Sequence, residues 1–441
     1  MSQKKNGSVI AIITCMFLYA MISFVTNLGA PAGTIWKNAE GIDGSNMLGM
    51  MGNMMNFLAY LFMGIPAGKM LTTQGYKKTA MIGIAVGFIG VLIQFLSGTG
   101  DMGHIAGLPI AWFVYLLGAF ICGFSVCMLN TVVNPMLNLL GGGGNRGNQL
   151  NMIGGTLNSL AGTATPLLVG ALVGQVTKET QMADINLVLY IAMAVFACAF
   201  VILSFIPIEN PTEKKKDTVY ERSAWAFRHC TLGIIGIFLY VGIEIGLPGT
   251  LNFYLSDPDN GAFHNLGLYT QNAAAIAGFV AASYWFLMLI GRMIGSAIGG
   301  KVSSRMMMIC ATSLSILFII IAMIIPETTT INMPTFTGSS FSMAEVPTRA
   351  LLIVLCGLCT SIMWPSIFNL SVEGLGKYTE QASGLFMMMV VGGGIMPLIQ
   401  NALADKAGYM FSYIVPLLSL AYLFLYALIG SKNVNKDIKI D

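Results

Sequence analysis

The sequence predicts an all-α membrane protein whose twelve transmembrane helices form two six-helix halves. Composition, apolar segments and the placement of basic residues carry this prediction. Hydrophobic residues make up 56% of the 441 residues and charged residues only 9%, whereas a soluble domain carries about 25% charged residues. A chain with so few charged residues cannot cover its surface with solvated groups. Most of its surface must therefore face lipid.

Twelve apolar segments are long enough to cross a bilayer, which requires about 20 apolar residues in a helix. Helices are expected because lipid cannot satisfy backbone N–H and C=O groups. The predicted spans are 8–30, 46–70, 79–97, 109–140, 149–174, 185–207, 230–255, 267–298, 304–325, 348–374, 381–403 and 409–430.

Basic residues predict the orientation, because lysine and arginine concentrate on the cytoplasmic side. With a cytoplasmic N-terminus, only Lys37, Lys178, Arg349 and Lys406 of the 22 basic residues fall on the opposite face. One span more or fewer would destroy this asymmetry. We therefore expect both termini in the cytoplasm.

Several landmarks recur in the same order at a nearly constant separation, which indicates an internal repeat. The pairs are Gly64 and Gly291, Gly68 and Gly295, Lys78 and Arg305, Pro135 and Pro365, and Pro166 and Pro397. The repeat predicts a half at 1–208, a cytoplasmic linker at 209–228 and a second half at 229–441. Two such halves in the same orientation are typical of the major facilitator architecture, in which they rock about a central site.

Glycines followed by basic residues mark the connections at 64–78, GIPAGKMLTTQGYKK, and 291–305, GRMIGSAIGGKVSSR. Both resemble the loop signature of major facilitators. Glycines let helices approach closely, and basic side chains can bond carbonyls at helix ends. The predicted gating residues are Gly64, Gly68, Lys77, Lys78, Gly291 and Arg292.

Glu244 is the one acidic residue deep inside a predicted span. Charged groups within a membrane usually serve a function. Glu244 could couple transport to an ion or bind a hydroxylated substrate. It could instead be a structural carboxylate paired with a neighbouring helix.

Neutral polar residues are abundant in the spans and predict a central polar cavity. Amides both donate and accept hydrogen bonds, which suits sugar hydroxyls, and indole rings can stack on a pyranose. Each amide could equally bond a neighbouring helix. No lysine or arginine is expected at mid-membrane, which argues against anionic substrates. The candidate binding residues are Asn27, Asn130, Asn134, Asn158, Glu244, Asn252, Gln271, Asn272, Trp285, Trp364 and Asn369.

Other classes of protein find little support in the sequence. The histidines lie in loops or at helix ends, the cysteines show no metal-ligand spacing, and no GxxxxGK[ST] motif is present. We expect no metal, no cofactor, no nucleic-acid partner and no enzymatic activity. The segment 326–347 is the longest loop opposite the termini, and the sequence assigns it no function.

Four segments resemble the fucose permease family of sugar symporters. They are 122–141, CGFSVCMLNTVVNPMLNLLG, 238–255, FLYVGIEIGLPGTLNFYL, 284–295, YWFLMLIGRMIG, and 361–408, which begins SIMWPSIFNLSVEGLGKYTEQ. The resemblance implies a multi-pass, monomeric protein of the bacterial inner membrane. It also implies uptake of a monosaccharide such as fucose, galactose, glucose or mannose, often with protons or sodium.

The chain departs from this family at the coupling residues. Proton symporters of the family carry carboxylates at the positions that match Asn27 and Asn130. An amide does not exchange protons at physiological pH. Coupling would therefore use Glu244, or a sodium site built from amides and carbonyls. The alternatives are a uniporter or exporter of another small neutral solute, or a sugar sensor that does not transport.

Overall fold

A computed structural model describes residues 2–100, 102–140, 144–173, 180–206, 222–270, 272–298, 302–336, 340–375 and 378–435. Twelve helical spans cross the molecule in these ranges, and each matches a span predicted from the sequence. The all-α membrane fold is therefore confirmed. Most of the linker predicted at 209–228 lies outside the described residues.

The spans are numbered 1 to 12 in chain order. Four of them, spans 1, 10, 11 and 12, consist of more than one helix. The spans are Ser2–Asn27 with Gly29–Lys37, Met51–Gln74, Tyr76–Leu96, Ile110–Leu140, Gly144–Val173, Asn186–Phe205, Arg228–Ser256, Ala273–Ile298, Ser304–Ile324, Thr348–Thr360 with Met363–Val372, Thr379–Met389 with Gly392–Ala407, and Tyr409–Ser412 with Ile414–Leu425 and a π-helical turn at Tyr426–Gly430. Short helices at Asn46–Gly49 and Ala262–Asn265 and 3₁₀ turns at Met182–Ile185 and Ala224–Ala226 lie in the connections.

Span 1 extends further than the predicted end at residue 30. Its second helix, Gly29–Lys37, contains Pro31 in its first turn. Proline is tolerated there because the N–H that it lacks would have no partner within the helix. The extension places Lys37 at a helix end rather than in a loop.

Two short antiparallel sheets complete the fold. Strand β1, His104–Ile105, pairs with β2, Leu108–Pro109. Strands β3, Thr330–Phe336, and β4, Phe341–Pro347, form a hairpin within the segment 326–347, for which the sequence predicts a loop. We call the side of the molecule with this hairpin the hairpin face, and the opposite side, where spans 1 and 7 begin, the terminal face.

The two halves meet along spans 2 and 11 and along spans 5 and 8. Small residues allow this contact. A Cβ atom at Gly394 would lie 2.9 Å from the backbone oxygen of Met54, and one at Gly64 would lie 3.0 Å from Cγ of Met388. The boundary between the halves is therefore closely packed along these pairs of spans.

The predicted gating residues differ in their packing. A Cβ at Gly291 would lie 2.3 Å from Oγ of Ser361, so spans 8 and 10 touch there. Gly68 was expected in a similar contact, but no atom of the described residues lies within 4 Å of a Cβ built on it. A Cβ at Gly295, the sequence equivalent of Gly68, would lie 2.4 Å from Cγ2 of Ile362, so the equivalence of these two glycines in sequence does not extend to their packing.

Basic residues at the terminal face bond the ends of neighbouring helices in both halves. Lys77 Nζ donates to the backbone oxygen of Ser204 at 2.8 Å, at the end of span 6. Arg305 Nε donates to the backbone oxygen of Ala427 at 2.8 Å, at the end of span 12. Spans 3 and 6 and spans 9 and 12 are thus joined in the same way.

Candidate functional site

A cavity of about 100 Å³ lies on the boundary between the two halves, in the part of the spans nearer the hairpin face. Spans 1, 2 and 5 of the first half and spans 7 and 8 of the second half surround it. Its lining residues are Thr26, Asn27, Pro31, Thr34, Met50, Asn53, Val169, Ile245, Pro248, Gly249, Asn252, Ala274, Ala275, Gly278, Ala281, Ala282 and Trp285.

Amides from both halves supply the polar part of this lining. Asn252 Nδ2 donates to Oγ1 of Thr34 at 3.0 Å, which joins span 7 to span 1. Asn27 Nδ2 donates to the backbone oxygen of Ser23 at 2.8 Å. The side-chain oxygens of both amides accept no hydrogen bond from the described part of the chain, so they are available to hydroxyl donors on a ligand.

Trp285 forms the aromatic part of the lining and is 9% exposed. Its ring lies at 89° to that of Tyr284, with centroids 5.7 Å apart. Tyr284 is fixed in turn, since its hydroxyl lies 2.7 Å from Oγ1 of Thr360. On the other side, a Cβ at Gly162 would lie 3.5 Å from Cγ of Trp285. The indole is therefore held between span 5 and its own helix.

A second polar group lies nearer the terminal face and contains Glu244. Its Oε1 lies 3.8 Å from Nη2 of Arg292. Arg292 Nη1 donates to the backbone oxygen of Gly155 at 2.6 Å and to Oγ of Ser159 at 2.9 Å. Tyr240, one turn before Glu244, interacts with the same carboxylate. One arginine thus connects spans 5, 7 and 8.

This arrangement corrects the expectation of a membrane interior without basic residues. Arg292 lies about a turn and a half from the end of its helix at Ile298, and its long side chain carries the guanidinium to Glu244. The membrane interior therefore does contain a basic group of the kind that an anionic substrate would need. The guanidinium is already bonded to Gly155 and Ser159 and faces a carboxylate, so it is not a free cation.

Two predicted binding residues bond other helices instead of lining the cavity. Asn130 Nδ2 donates to the hydroxyl of Tyr60 at 2.8 Å, between spans 4 and 2. Asn158 Nδ2 donates to the backbone oxygen of Tyr19 at 3.2 Å, between spans 5 and 1. Both amides therefore make the interhelical bonds that the sequence left as an alternative.

The remaining predicted residues are dispersed. The ring centroids of Trp364 and Tyr240 are 6.2 Å apart, so Trp364 lies beside the Glu244 group. Asn369 is exposed on span 10 and Asn272 precedes the helix of span 8, both outside the cavity lining. The side chain of Asn134 and the whole of Gln271 lie outside the described residues.

Some lining residues were absent from the predicted set. Asn53 lines the cavity, and its Nδ2 donates to the backbone oxygen of Gly393 at 2.9 Å. Thr34 follows Asn27 by two helical turns and lies on the same side of span 1. That spacing could have identified Thr34, but it falls beyond the predicted end of the span.

Above the cavity, a buried cluster of Lys37, Asp257 and Tyr409 ties the halves together at the hairpin face. Lys37 Nζ lies 2.8 Å from Oδ2 of Asp257 and 2.7 Å from the hydroxyl of Tyr409. The Tyr409 hydroxyl donates to Asp257 across 2.6 Å. The side chains of Lys37 and Asp257 are only 3% and 8% exposed. We call these three residues the hairpin-face cluster.

The charge of Asp257 is stable in this cluster. Burial raises the pKa of its carboxyl, but the charge and hydrogen bond of Lys37 and the hydroxyl of Tyr409 outweigh burial and lower the pKa to about 2. A carboxyl pKa below its ordinary value means that this stabilisation is complete above the ordinary value, 3.8, and is lost as pH falls through about 2. The carboxylate of Asp257 therefore stays charged at neutral pH.

A neighbouring set of hydrogen bonds also joins the two halves at the hairpin face. Asp405 at the end of span 11 accepts hydrogen bonds from Oγ of Ser45 at 2.9 Å and from the backbone N–H groups of Asn46 and Met47 at 2.8 and 3.0 Å. These N–H groups begin the helix Asn46–Gly49, where a carboxylate is favoured by the helix dipole. Spans 1, 2, 7 and 11 are thus joined at one face.

Comparison with known proteins identifies related chains. Residues 12–396 match the family model described as Major Facilitator Superfamily. A glucose/galactose transporter of Brucella abortus is 30% identical over 440 residues, which cover 98% of this chain and 96% of the relative. The L-fucose-proton symporter of Escherichia coli is 22% identical over 405 residues, covering 86% and 83%.

Solved structures show the same fold. The crystal structure of a variant of the E. coli fucose:proton symporter FucP matches with a TM-score of 0.65 and 16% identity, over 96% of this chain and 99% of the FucP chain. FucP in the outward conformation gives a TM-score of 0.66 with 17% identity, over 97% and 100%.

Proposed function

The chain belongs to the Major Facilitator Superfamily, and on that basis we propose that it transports a neutral monosaccharide across a membrane by alternating access. The names of its relatives support a sugar as the substrate, since one is a glucose/galactose transporter and another an L-fucose-proton symporter. In this proposal the protein lies in the bacterial inner membrane, and its terminal face is cytoplasmic.

The cavity between the halves carries the proposal. Asn27 from the first half and Asn252 from the second present amide oxygens, and Trp285 supplies an aromatic surface. Hydroxyl groups of a sugar suit the amides, and the apolar face of a pyranose suits an indole. A ligand bound here touches both halves, so movement of one half against the other changes its surroundings.

The hairpin-face cluster supports a state closed toward the hairpin face. Lys37 and Asp257 belong to different halves and are buried together. The second half also bonds the first through Asp405, which accepts hydrogen bonds from Ser45 and Asn46 at the same face.

Glu244 is the coupling residue in this proposal. At the positions that match family carboxylates, Asn27 and Asn130 have amides that cannot titrate. Glu244 instead faces Arg292, which binds span 5 of the other half. When the carboxylate takes up a proton, its attraction to the guanidinium is lost. Protonation can therefore alter the contact between spans 7 and 8, while Arg292 keeps its hydrogen bonds to span 5.

Gradient-driven uptake tests the proposal. Labelled glucose, galactose, mannose and fucose are offered to proteoliposomes under separately imposed proton and sodium gradients. We expect accumulation of at least one sugar above its outside concentration under the proton gradient. Accumulation under sodium alone would remove the role of Glu244 as a proton carrier.

Two other results would replace the proposal rather than refine it. Equilibration without accumulation would mean a uniporter, which the amides of Asn27 and Asn130 favour. Sugar binding without flux would mean a sensor.

A further inference from the structure

The hairpin of β3 and β4 has one face packed on the protein and one face exposed. Successive side chains in a strand point to opposite faces, and directly paired residues share a face. Met333, Thr335 and Val346 are 7%, 0% and 0% exposed and form the inner face. The outer face contains Pro334 paired with Met343 and Phe336 paired with Phe341.

The outer face is divided along its length. Its distal part is apolar, and Phe341 and Met343 are 72% and 62% exposed. Its proximal part is polar, with Asn332 paired with Glu345, which accepts a hydrogen bond from Thr330. Apolar side chains this exposed at one end of a short hairpin form a patch of the kind that marks a contact with another protein or with a membrane.

The distal end lies alongside span 8. The rings of Phe341 and Phe279 meet at 79° with centroids 6.0 Å apart. Phe279 lies six residues into the helix that begins at Ala273, about 9 Å along its axis. The hairpin therefore reaches down beside the first two turns of a membrane-spanning helix.

The patch continues a lipid-facing stripe of that helix. Phe279, Phe286 and Met293 are spaced by two helical turns each and share one side of span 8. Phe286 and Met293 are 49% and 62% exposed within the span, where the surroundings are acyl chains. Phe341 packs at the upper end of this stripe.

We propose that the distal outer face of the hairpin, with Phe341 and Met343, is inserted among the lipids of the leaflet at the hairpin face. The polar proximal part, with Glu345, stays in water. Partial insertion of an apolar face at the boundary between headgroups and acyl chains is favourable in proportion to the apolar area buried. The hairpin then anchors the connection between spans 9 and 10 to the membrane surface.

Spin-label accessibility in proteoliposomes tests this proposal. Nitroxide labels are attached to Met343→Cys and, as a matched control two residues away on the same face, to Glu345→Cys. The background carries Cys198→Ser and Cys310→Ser, since the other six cysteines are buried. Collision with oxygen, which dissolves in lipid, is compared with collision with a water-soluble nickel chelate.

We expect the label at residue 343 to favour oxygen and the label at residue 345 to favour nickel. Preference for nickel at both positions would place the outer face in water and overturn the proposal. Exclusion of both reagents at residue 343 would mean that protein, such as a second copy of the chain, covers the patch, and would overturn it as well. Each labelled variant is checked for folding by size-exclusion chromatography.

Discussion

Glu244 and Arg292 show how the chemistry of a transporter depends on single side chains. Glu244 could be identified from the sequence, because it is an acidic residue inside a long apolar segment. Arg292 was placed at a gate, because its position near a helix end gives no indication of where its side chain reaches. Only the fold shows its guanidinium on Gly155 and Ser159 of span 5 and 3.8 Å from Glu244.

Replacing Glu244 by glutamine should abolish concentrative uptake, because an amide cannot carry a proton. Exchange of labelled for unlabelled sugar across the membrane should persist, because exchange requires no net proton movement. Uptake and exchange are measured in the same proteoliposomes. Glu40→Gln, at an exposed position outside the spans, serves as the control, and equal accumulation by both variants would contradict the coupling role.

Trp285 offers a test of the cavity as the sugar site. Trp285→Ala removes the aromatic wall and should raise KM for the transported sugar about tenfold, equivalent to about 1.4 kcal/mol of binding. Trp225, which is 43% exposed and does not line the cavity, is the matched control. An unchanged KM in Trp285→Ala would mean that the sugar binds elsewhere.

At the scale of helices, the number and approximate limits of the spans could be predicted because they follow from apolar length alone. The end of span 1 could not, because the predicted span ends at residue 30 whereas Pro31 fits the first turn of a second helix that continues to Lys37. The β3–β4 hairpin escaped prediction as well. Pro334 and the polar residues around it resemble an irregular loop, and proline occurs at the edges of sheets.

Helix packing at the glycines yields a prediction for the thermal stability of the protein. Gly291→Ala would place a methyl group 2.3 Å from Oγ of Ser361 and 2.5 Å from the backbone oxygen of Leu358. Overpacking of this kind costs about 1–3 kcal/mol, so the unfolding temperature in detergent should fall. Gly68→Ala meets open space and should leave it unchanged or raise it slightly, since alanine favours helix.

Equal unfolding temperatures for the two variants would contradict the close contact of spans 8 and 10. A fall for Gly68→Ala alone would mean that Gly68 is closely packed and Gly291 is not, the reverse of the geometry in the structure.

The whole molecule closes at one face through charges from both halves. Asp257 keeps its charge at neutral pH because its pKa is lowered to about 2, so titration of this carboxyl in the physiological range should not release the hairpin-face cluster. Opening requires movement of the halves, in which the buried pair exchanges its partners for water.

Weakening this cluster should favour the state open toward the hairpin face. In Lys37→Gln, a cysteine introduced at Met50, which is 5% exposed and lines the cavity, should react several-fold faster with a membrane-impermeant maleimide added at the hairpin face. Lys406→Gln, at an exposed position on the same face, should leave the rate unchanged.

The double variant Lys37→Gln with Asp257→Asn separates opening from misfolding, because it leaves no buried charge unpaired. It should fold like the parent chain and still label fast. Slow labelling in both variants would show that the cluster does not hold the face closed.

Sugar counterflow tests the central claim most directly, because it requires alternating access but no imposed ion gradient. Proteoliposomes loaded with unlabelled glucose, galactose, mannose or fucose are diluted into a trace of the same labelled sugar. We predict transient accumulation of label for at least one of these sugars, reduced in Trp285→Ala. Absence of counterflow for every monosaccharide, with protein shown to be folded and inserted, would contradict the assignment of this chain as a sugar transporter.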